Sequence, residues 1–304
     1  MPYNSNRSKV AVIDLGTNTF HLLISSPESP LSHPDLLRLR KYVKLGEYAP
    51  DYIGREAFRR GVDTISEFAA IAEREGVSRT VAVGTAMLRN AVNARDFTRA
   101  VKEETGVEIE IISGQKEARL IFQGARLSGT MSGENDLIMD IGGGSVEFIL
   151  SRKFEAVWYG SYDIGVSFLK HRFHKKDPIT KDEILALREH FRHRLQPLIS
   201  QMEKLHKLRL IGLSGTFDVI DEHMRLKKGI QSVTIPIQAV REFTEEILPL
   251  TLEERIAHPS IPESRADLIP VALVLVDFII GLPEVKSLST SPYSIKEGIL
   301  ASLV

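Results

Sequence analysis

The chain has 304 residues, with 39 Lys and Arg against 40 Asp and Glu, and a hydrophobic share of 43%. That apolar content is enough to bury one or two sizeable cores, which excludes a disordered chain. A net charge of −1 excludes a generally basic, nonspecific nucleic-acid surface, and the absence of cysteine excludes disulfides, thiolate nucleophiles and cysteine-ligated zinc. The first ten residues are polar and give no signal-peptide core, so a cytoplasmic location is expected.

In chain order, residues 10–14 open as a short apolar strand and residues 20–25 follow across a small polar turn, the pattern of a hairpin. Phe58, Val62, Ile65, Phe68, Ala69 and Ala72 recur at three- and four-residue spacing, which predicts an amphipathic helix stopped by Gly76. Residues 80–83 read as a strand, Asn93 as the cap of a helix ended by Gly106, residues 108–112 as another strand, and Ser113 as a further cap. A loop with Ser128, Gly129, Ser132 and Gly133 then precedes a strand at 137–141. Thr180-x-x-Glu183 and Thr251-x-x-Glu254 have capping-box spacing. The most apolar stretch, 268–280, contains Pro270 and Asp277 and is shorter than the roughly 20 residues a bilayer requires, so it reads as a buried helix and no membrane span is expected. Alternating strands and helices predict an α/β protein, and its length predicts two domains.

The opening organisation recurs. Val12-Ile13-Asp14-Leu15-Gly16-Thr17-Asn18 is echoed by Ile138-Met139-Asp140-Ile141-Gly142-Gly143-Gly144-Ser145: apolar strand, Asp, apolar residue, Gly, small polar residues. Small residues let backbone N–H groups approach a phosphate, while a carboxylate at the strand end suits a hydrated cation beside it. Either turn alone is equally consistent with a plain connection in which Gly supplies shape; two copies at corresponding positions favour the phosphate reading. Glu147 lies seven residues beyond Asp140, placed to return toward the same cation from the second strand of a hairpin. The basic run 170–176 reads as a solvated helix end, with His171 and His174 on the surface.

The chain resembles the exopolyphosphatase and guanosine pentaphosphate phosphohydrolase (Ppx/GppA) family within the actin-like ATPase superfamily. The resemblance rests on the turn at 13–19, Val83-Gly84-Thr85 through Leu88-Arg89, residues 112–120, Asp140 through Glu147, Gly215-Thr216, Arg265-Ala266-Asp267 and Lys296-Glu297-Gly298-Ile299. It implies two actin-like (ribonuclease H-like) lobes facing each other across a central cleft: residues 1–125 as lobe I, 126–292 as lobe II, and a last helix at about 293–304 returning to lobe I. It also implies a short form without the family's further C-terminal helical region.

By the same resemblance, Glu117 is the catalytic residue that activates water. Arg89, Gly16, Thr17, Asn18, Thr19, Gly142, Gly143, Gly144, Ser145, Gly215 and Thr216 contact phosphate, and Asp14, Asp140 and Glu147 serve Mg2+ or another divalent cation. A carboxylate in the first turn of a helix also stabilises that helix by itself, and this is the plain alternative for Glu117. Lys44 stands where the family commonly has Arg, and Ser264 where it usually has Glu; Ser264-x-x-Asp267 also reads as a helix cap.

The implied reaction is magnesium-assisted hydrolysis of terminal phosphoanhydride bonds of inorganic polyphosphate. Guanosine pentaphosphate is the alternative substrate, and an actin-fold kinase or a noncatalytic polyphosphate or alarmone sensor are more distant alternatives. No nucleic-acid or membrane partner is expected, and a homodimer is the candidate assembly.

Overall fold

The computed structural model describes residues 9–26, 37–228 and 234–303. The polar N-terminal stretch up to residue 8 and the last residue of the expected C-terminal helix lie outside them. The chain divides into two compact units, one running to Gly124 and resuming at Ile295, the other Ala125–Ser294.

In the first unit, β1 (Lys9–Leu15) and β2 (Thr19–Ser25) form an antiparallel hairpin extended by β3 (Leu37–Tyr42). On the other side of β1 lie β4 (Val77–Gly84) and then β5 (Ile109–Ile111), both parallel, giving the order β3-β2-β1-β4-β5. Parallel neighbours need helical crossovers. These are α1 (Arg55–Arg74) and, between β4 and β5, the short α2 (Ala86–Asn90) with α3 (Ala94–Thr105). The apolar stripe predicted for α1 is the face it buries: Val62, Ile65, Phe68 and Ala72 join Phe97 and Val101 of α3 beneath Ile13, Leu15 and Phe20 of the sheet.

Asn93 precedes α3 but does not cap it. Its side-chain amide instead bonds both backbone groups of Ile53, accepting from the N–H (3.0 Å) and donating to the carbonyl (2.9 Å). Ser113 does cap α4 (Gly114–Leu127), accepting from Lys116 N at 3.2 Å. The last helix, α12 (Ile295–Ala301), packs on β1 and β2. Gly298 permits this placement, because a Cβ there would stand 2.7 Å from the Leu120 carbonyl carbon and 3.1 Å from Gly124 N in α4. Arg38 of β3 pairs with the fully buried Glu297 at 2.5 Å.

The second unit repeats the plan. β6 (Asn135–Ile141), β7 (Val146–Arg152) and β8 (Glu155–Tyr162) form an antiparallel meander, and β9 (Leu208–Leu213) and β10 (Val285–Ser291) add on the other side in parallel, in the order β8-β7-β6-β9-β10. Its helices are α5 (Val166–Phe173), α6 (Lys181–Arg194), α7 (Gln196–Met202), α8 (Gly215–Lys228), α9 (Ile237–Ile247), α10 (Leu252–Ala257) and α11 (Ile269–Ile280).

α11 is the apolar stretch read as a buried helix. All but one of its residues are buried, against Phe191, Leu195 and Phe243 among others. The exception, Asp277, pairs with Arg188. Both capping boxes form, at Thr180 with Glu183 and Thr251 with Glu254. Ser264 caps no helix; it lies within a 3-10 turn at Glu263–Arg265. No helix among the described residues is long and apolar enough to cross a membrane.

Candidate active site

The two glycine turns have one backbone design. In the first unit Gly16 N donates to Thr19 O at 3.1 Å, and in the second Gly142 N donates to Ser145 O at 3.0 Å. A Cβ on either glycine would crowd the accepting carbonyl, at 2.9 and 2.8 Å, so both turns need glycine for close approach.

The carbonyls between are tied down. Thr17 O accepts from Gly46 N (3.3 Å), and Asn18 O accepts from Val43 N and Lys44 N (2.9 Å each). Gly142, Gly143 and Gly144 carbonyls accept from Val166, Ser167 and Gly165 N at 2.9–3.1 Å, where α5 begins. In a trans peptide the N–H points opposite to the C=O. The N–H groups of Asn18 and Thr19 are therefore turned away from the 43–46 loop, and those of Gly143, Gly144 and Ser145 away from α5. Each set forms a fan of donors of the kind that cradles a phosphate.

Each turn has an acid at the end of its leading strand. Asp14 and Asp140 are 9% and 6% exposed. Across the first hairpin Asp14 stands opposite His21; across the second, at the same offset, Asp140 stands opposite Glu147. Residues directly opposite in an antiparallel pair project on one face, and two like charges there destabilise the pair. Serine hydroxyls offset part of this: Ser294 Oγ donates to Asp140 at 2.5 Å and Ser161 Oγ to Glu147 at 2.8 Å. Two adjacent buried carboxylates with oxygen-only donors fit a hard divalent cation. Ser161 and Ser294 carried no signal in the sequence, since only the β7–β8 register and the C-terminus of unit two bring them to these acids.

Arg89 of α2 and Glu117 in the first turn of α4 meet directly. Arg89 Nη1 donates to Glu117 Oε2 at 2.6 Å and to Ile112 O at 3.2 Å, with side chains 17% and 10% exposed. The placement has local causes. Thr85 binds Leu15 O through both N and Oγ1 (3.3 Å each), which fixes α2 beside the first turn, and Ile112 N binds Gly84 O at 3.0 Å, which fixes the start of α4. A groove lined by Arg89, Arg95, Val92, Ile111 and Ser113 opens beside the pair.

In the second unit, Gly215 and Thr216 begin α8, and a Cβ on Gly215 would overlap the Arg265 guanidinium. Arg265 is thus a cation laid against this helix start; its signal in the sequence was the Arg-Ala-Asp segment. The neighbouring Asp267 is engaged by Lys170 at 2.9 Å, so part of the basic run 170–176 serves packing. His174 departs from the expected surface position: its side chain is 5% exposed, and burial, with Arg255 nearby, lowers its pKa.

A different group has metal-ligand geometry. His223 of α8, Glu246 of α9 and His258 just after α10 bring ligand atoms within 4.8 Å of one another and could coordinate a divalent metal. None of the three stood out in the sequence, because ligands on three separate segments leave no local spacing to read.

The comparisons agree on kinship. A family model described as the Ppx/GppA phosphatase family matches residues 26–304. The chain is 28% identical over 297 residues to a guanosine-5'-triphosphate,3'-diphosphate pyrophosphatase of Photobacterium profundum, covering 97% of this chain and 59% of that protein. It therefore spans about three fifths of the length of the curated relatives it matches. The crystal structure of an exopolyphosphatase from Cytophaga hutchinsonii superposes with a TM-score of 0.90 at 34% identity, covering 97% of each chain. A Ppx/GppA enzyme of Aquifex aeolicus, at 22% identity and a TM-score of 0.77, shares the fold. Paired mixed sheets, twin glycine turns and these matches lead to one conclusion: the chain belongs to the Ppx/GppA phosphatase family.

Proposed function

We propose that this chain is a phosphoanhydride hydrolase that releases orthophosphate from the end of inorganic polyphosphate, with guanosine pentaphosphate as the equally supported alternative substrate. The observation that carries the reading is the Arg89–Glu117 pair: a buried carboxylate held in a helix first turn by a cation suited to phosphoryl oxygens. An exopolyphosphatase of known structure and pyrophosphatases acting on the guanosine compound are both among the relatives, and this favours neither substrate over the other.

In this reading Glu117 orients a water in line with the terminal phosphorus and accepts its proton as the new P–O bond forms; the bridging oxygen leaves with the shortened chain. Arg89 takes the phosphoryl oxygens, and because its Nη1 is already given to Glu117, arrival of a phosphoryl group loosens that pair and frees the carboxylate for the water. The backbone N–H fans at 18–19 and 143–145 neutralise phosphate oxygens, and Gly215 and Thr216, with Arg265, extend the phosphate-binding surface of unit two. Asp14, Asp140 and Glu147 are the carboxylates for Mg2+, which when bound neutralises charge building on the phosphoryl oxygens.

The test is orthophosphate release, with magnesium present, from long polyphosphate, guanosine pentaphosphate and ATP in parallel. Glu117→Gln keeps the volume and removes the proton acceptor, so turnover is expected to fall by about 10²–10⁴-fold with the protein still folded. Turnover retained in that variant overturns the role of Glu117. A preference for ATP with phosphate passed to an acceptor favours a kinase, and binding without release favours a sensor.

A further inference from the structure

We propose that His223, Glu246 and His258 form a binding site for a zinc-class divalent ion on the second unit, distinct in its residues and its chemistry from the carboxylates assigned to magnesium. Two imidazoles and one carboxylate make a donor set suited to Zn2+, Co2+ or Ni2+, whereas Mg2+ favours oxygen ligands and retained waters. His258 Nε2 lies 3.3 Å from Glu246 Oε1, and His223 Nε2 lies 3.9 Å from Glu246 Oε2. Tetrahedral zinc with bonds of about 2.1 Å places neighbouring ligand atoms about 3.4 Å apart. The two distances run to different oxygens of Glu246, so a one-oxygen ligand keeps only one of these edges as it stands; one ligand atom from each residue already lies within 4.8 Å of the others, and the remaining edges close by up to about 1.4 Å on binding.

The rings are held in place for this. His223 is 1% exposed and stacks on Phe243, with centroids 4.0 Å apart and an interplanar angle of 28°. Phe243 sits one turn before Glu246 on α9, so one helix supplies both the packing surface for the first ligand and the carboxylate. His258 lies nearly parallel to His223 at 5.9 Å and 23°. Ser260 supplies the outer contacts: its Oγ lies 3.3 Å from His223 Nδ1, and its N–H donates to His258 Nδ1 at 3.2 Å. The first contact lets His223 keep its proton on Nδ1 and offer Nε2 to a metal, the usual arrangement of a ligating histidine. The second places the proton of metal-free His258 on Nε2, facing Glu246. Metal binding moves that proton to Nδ1 and releases the Ser260 amide, a cost of one neutral hydrogen bond against the metal–ligand bonds gained. Glu246, 37% exposed, leaves a route for the ion from solvent. Bound, the ion would clip together α8, α9 and the turn after α10.

The experiment uses the full chain stripped with chelator and titrated with ZnCl2 by calorimetry in excess Mg2+, with Co2+ absorption as a second readout. One Zn2+ per chain, unaffected by Mg2+, and visible Co2+ bands of a tetrahedral site are expected. Glu246→Gln and His258→Gln should each weaken binding by at least about 100-fold, and Ser260→Ala, acting one shell out, by about 10-fold. In the loaded protein the Ser260 amide should exchange faster with solvent. Absence of stoichiometric zinc, competition by Mg2+, or zinc binding unchanged in Glu246→Gln overturns the proposal. Because Glu246 is partly exposed, that variant gives a folded protein, checked by its metal-free melting temperature.

Discussion

Replacing Arg89 by Met removes the Nη1 donor from Glu117 Oε2 and from Ile112 O while retaining much of the side-chain volume. Glu117 is 7% exposed, so the carboxylate left behind is poorly hydrated, and breaking one side of a buried pair costs about 3–5 kcal/mol. Arg89 itself is 17% exposed at the side chain; water entering on that side reduces the expected loss to the lower end, about 3 kcal/mol. Glu117→Gln leaves a carbonyl to accept from Arg89 and should cost about 1 kcal/mol. The double variant leaves no charge stranded. Its loss should therefore fall short of the summed single losses by about 2 kcal/mol, well beyond the roughly 0.5 kcal/mol scatter seen for uncoupled sites. Urea unfolding followed by far-ultraviolet circular dichroism, with a common slope fitted to all four proteins, measures the cycle. Additive losses would refute the claim that Arg89 and Glu117 act as one unit.

Gly298→Ala drives a methyl into the Leu120 carbonyl and should lower the melting temperature through overpacking worth about 1–3 kcal/mol; an unchanged melting curve would mean that α12 is not seated on α4. Burial lowers the His174 pKa below 6.5, so the unfolded chain takes up the proton first and stability should decline as pH drops through about 6.5, with His174→Leu losing that part of the decline in a pH series of urea midpoints. Ser294→Ala removes the hydroxyl donor to Asp140 and should raise the Mg2+ concentration for half-maximal orthophosphate release by about 10-fold, since outer contacts tune metal affinity. Burial opposes ionisation of Glu183, but bonds from Thr180, Lys175 and Lys176 hold its pKa down at about 2. Its contribution is thus present above about 4.5 and lost as pH falls toward 2, and Glu183→Gln should flatten the acid side of the stability profile.

The parts of the fold that could be read from the sequence were those with short-range causes. The α1 stripe, both capping boxes and the Asp-x-Gly turns are set by residues within a few positions of one another, and the structure shows the same local geometry. Asp140 opposite Glu147 also follows from counting, because a four-residue turn fixes the register of the hairpin. Asn93 had the composition of a cap, yet two backbone groups of Ile53 compete successfully for its amide. His174 belongs to a basic run, and its burial beside Arg255 comes from tertiary neighbours the run does not record. The serines at 161 and 294, the Arg265 contact with Gly215, and the His223–Glu246–His258 group depend on tertiary neighbours that no local pattern records.

The seat of α12 has a consequence for how the chain is made. Its helix completes the first unit, yet the whole second unit is synthesised before it. On the ribosome, the first unit must wait for a helix separated from the rest of it by the 170 residues Ala125–Ser294, while the second unit has all its strands in hand. The second unit can therefore close before the first, whose sheet is covered only once α12 has emerged.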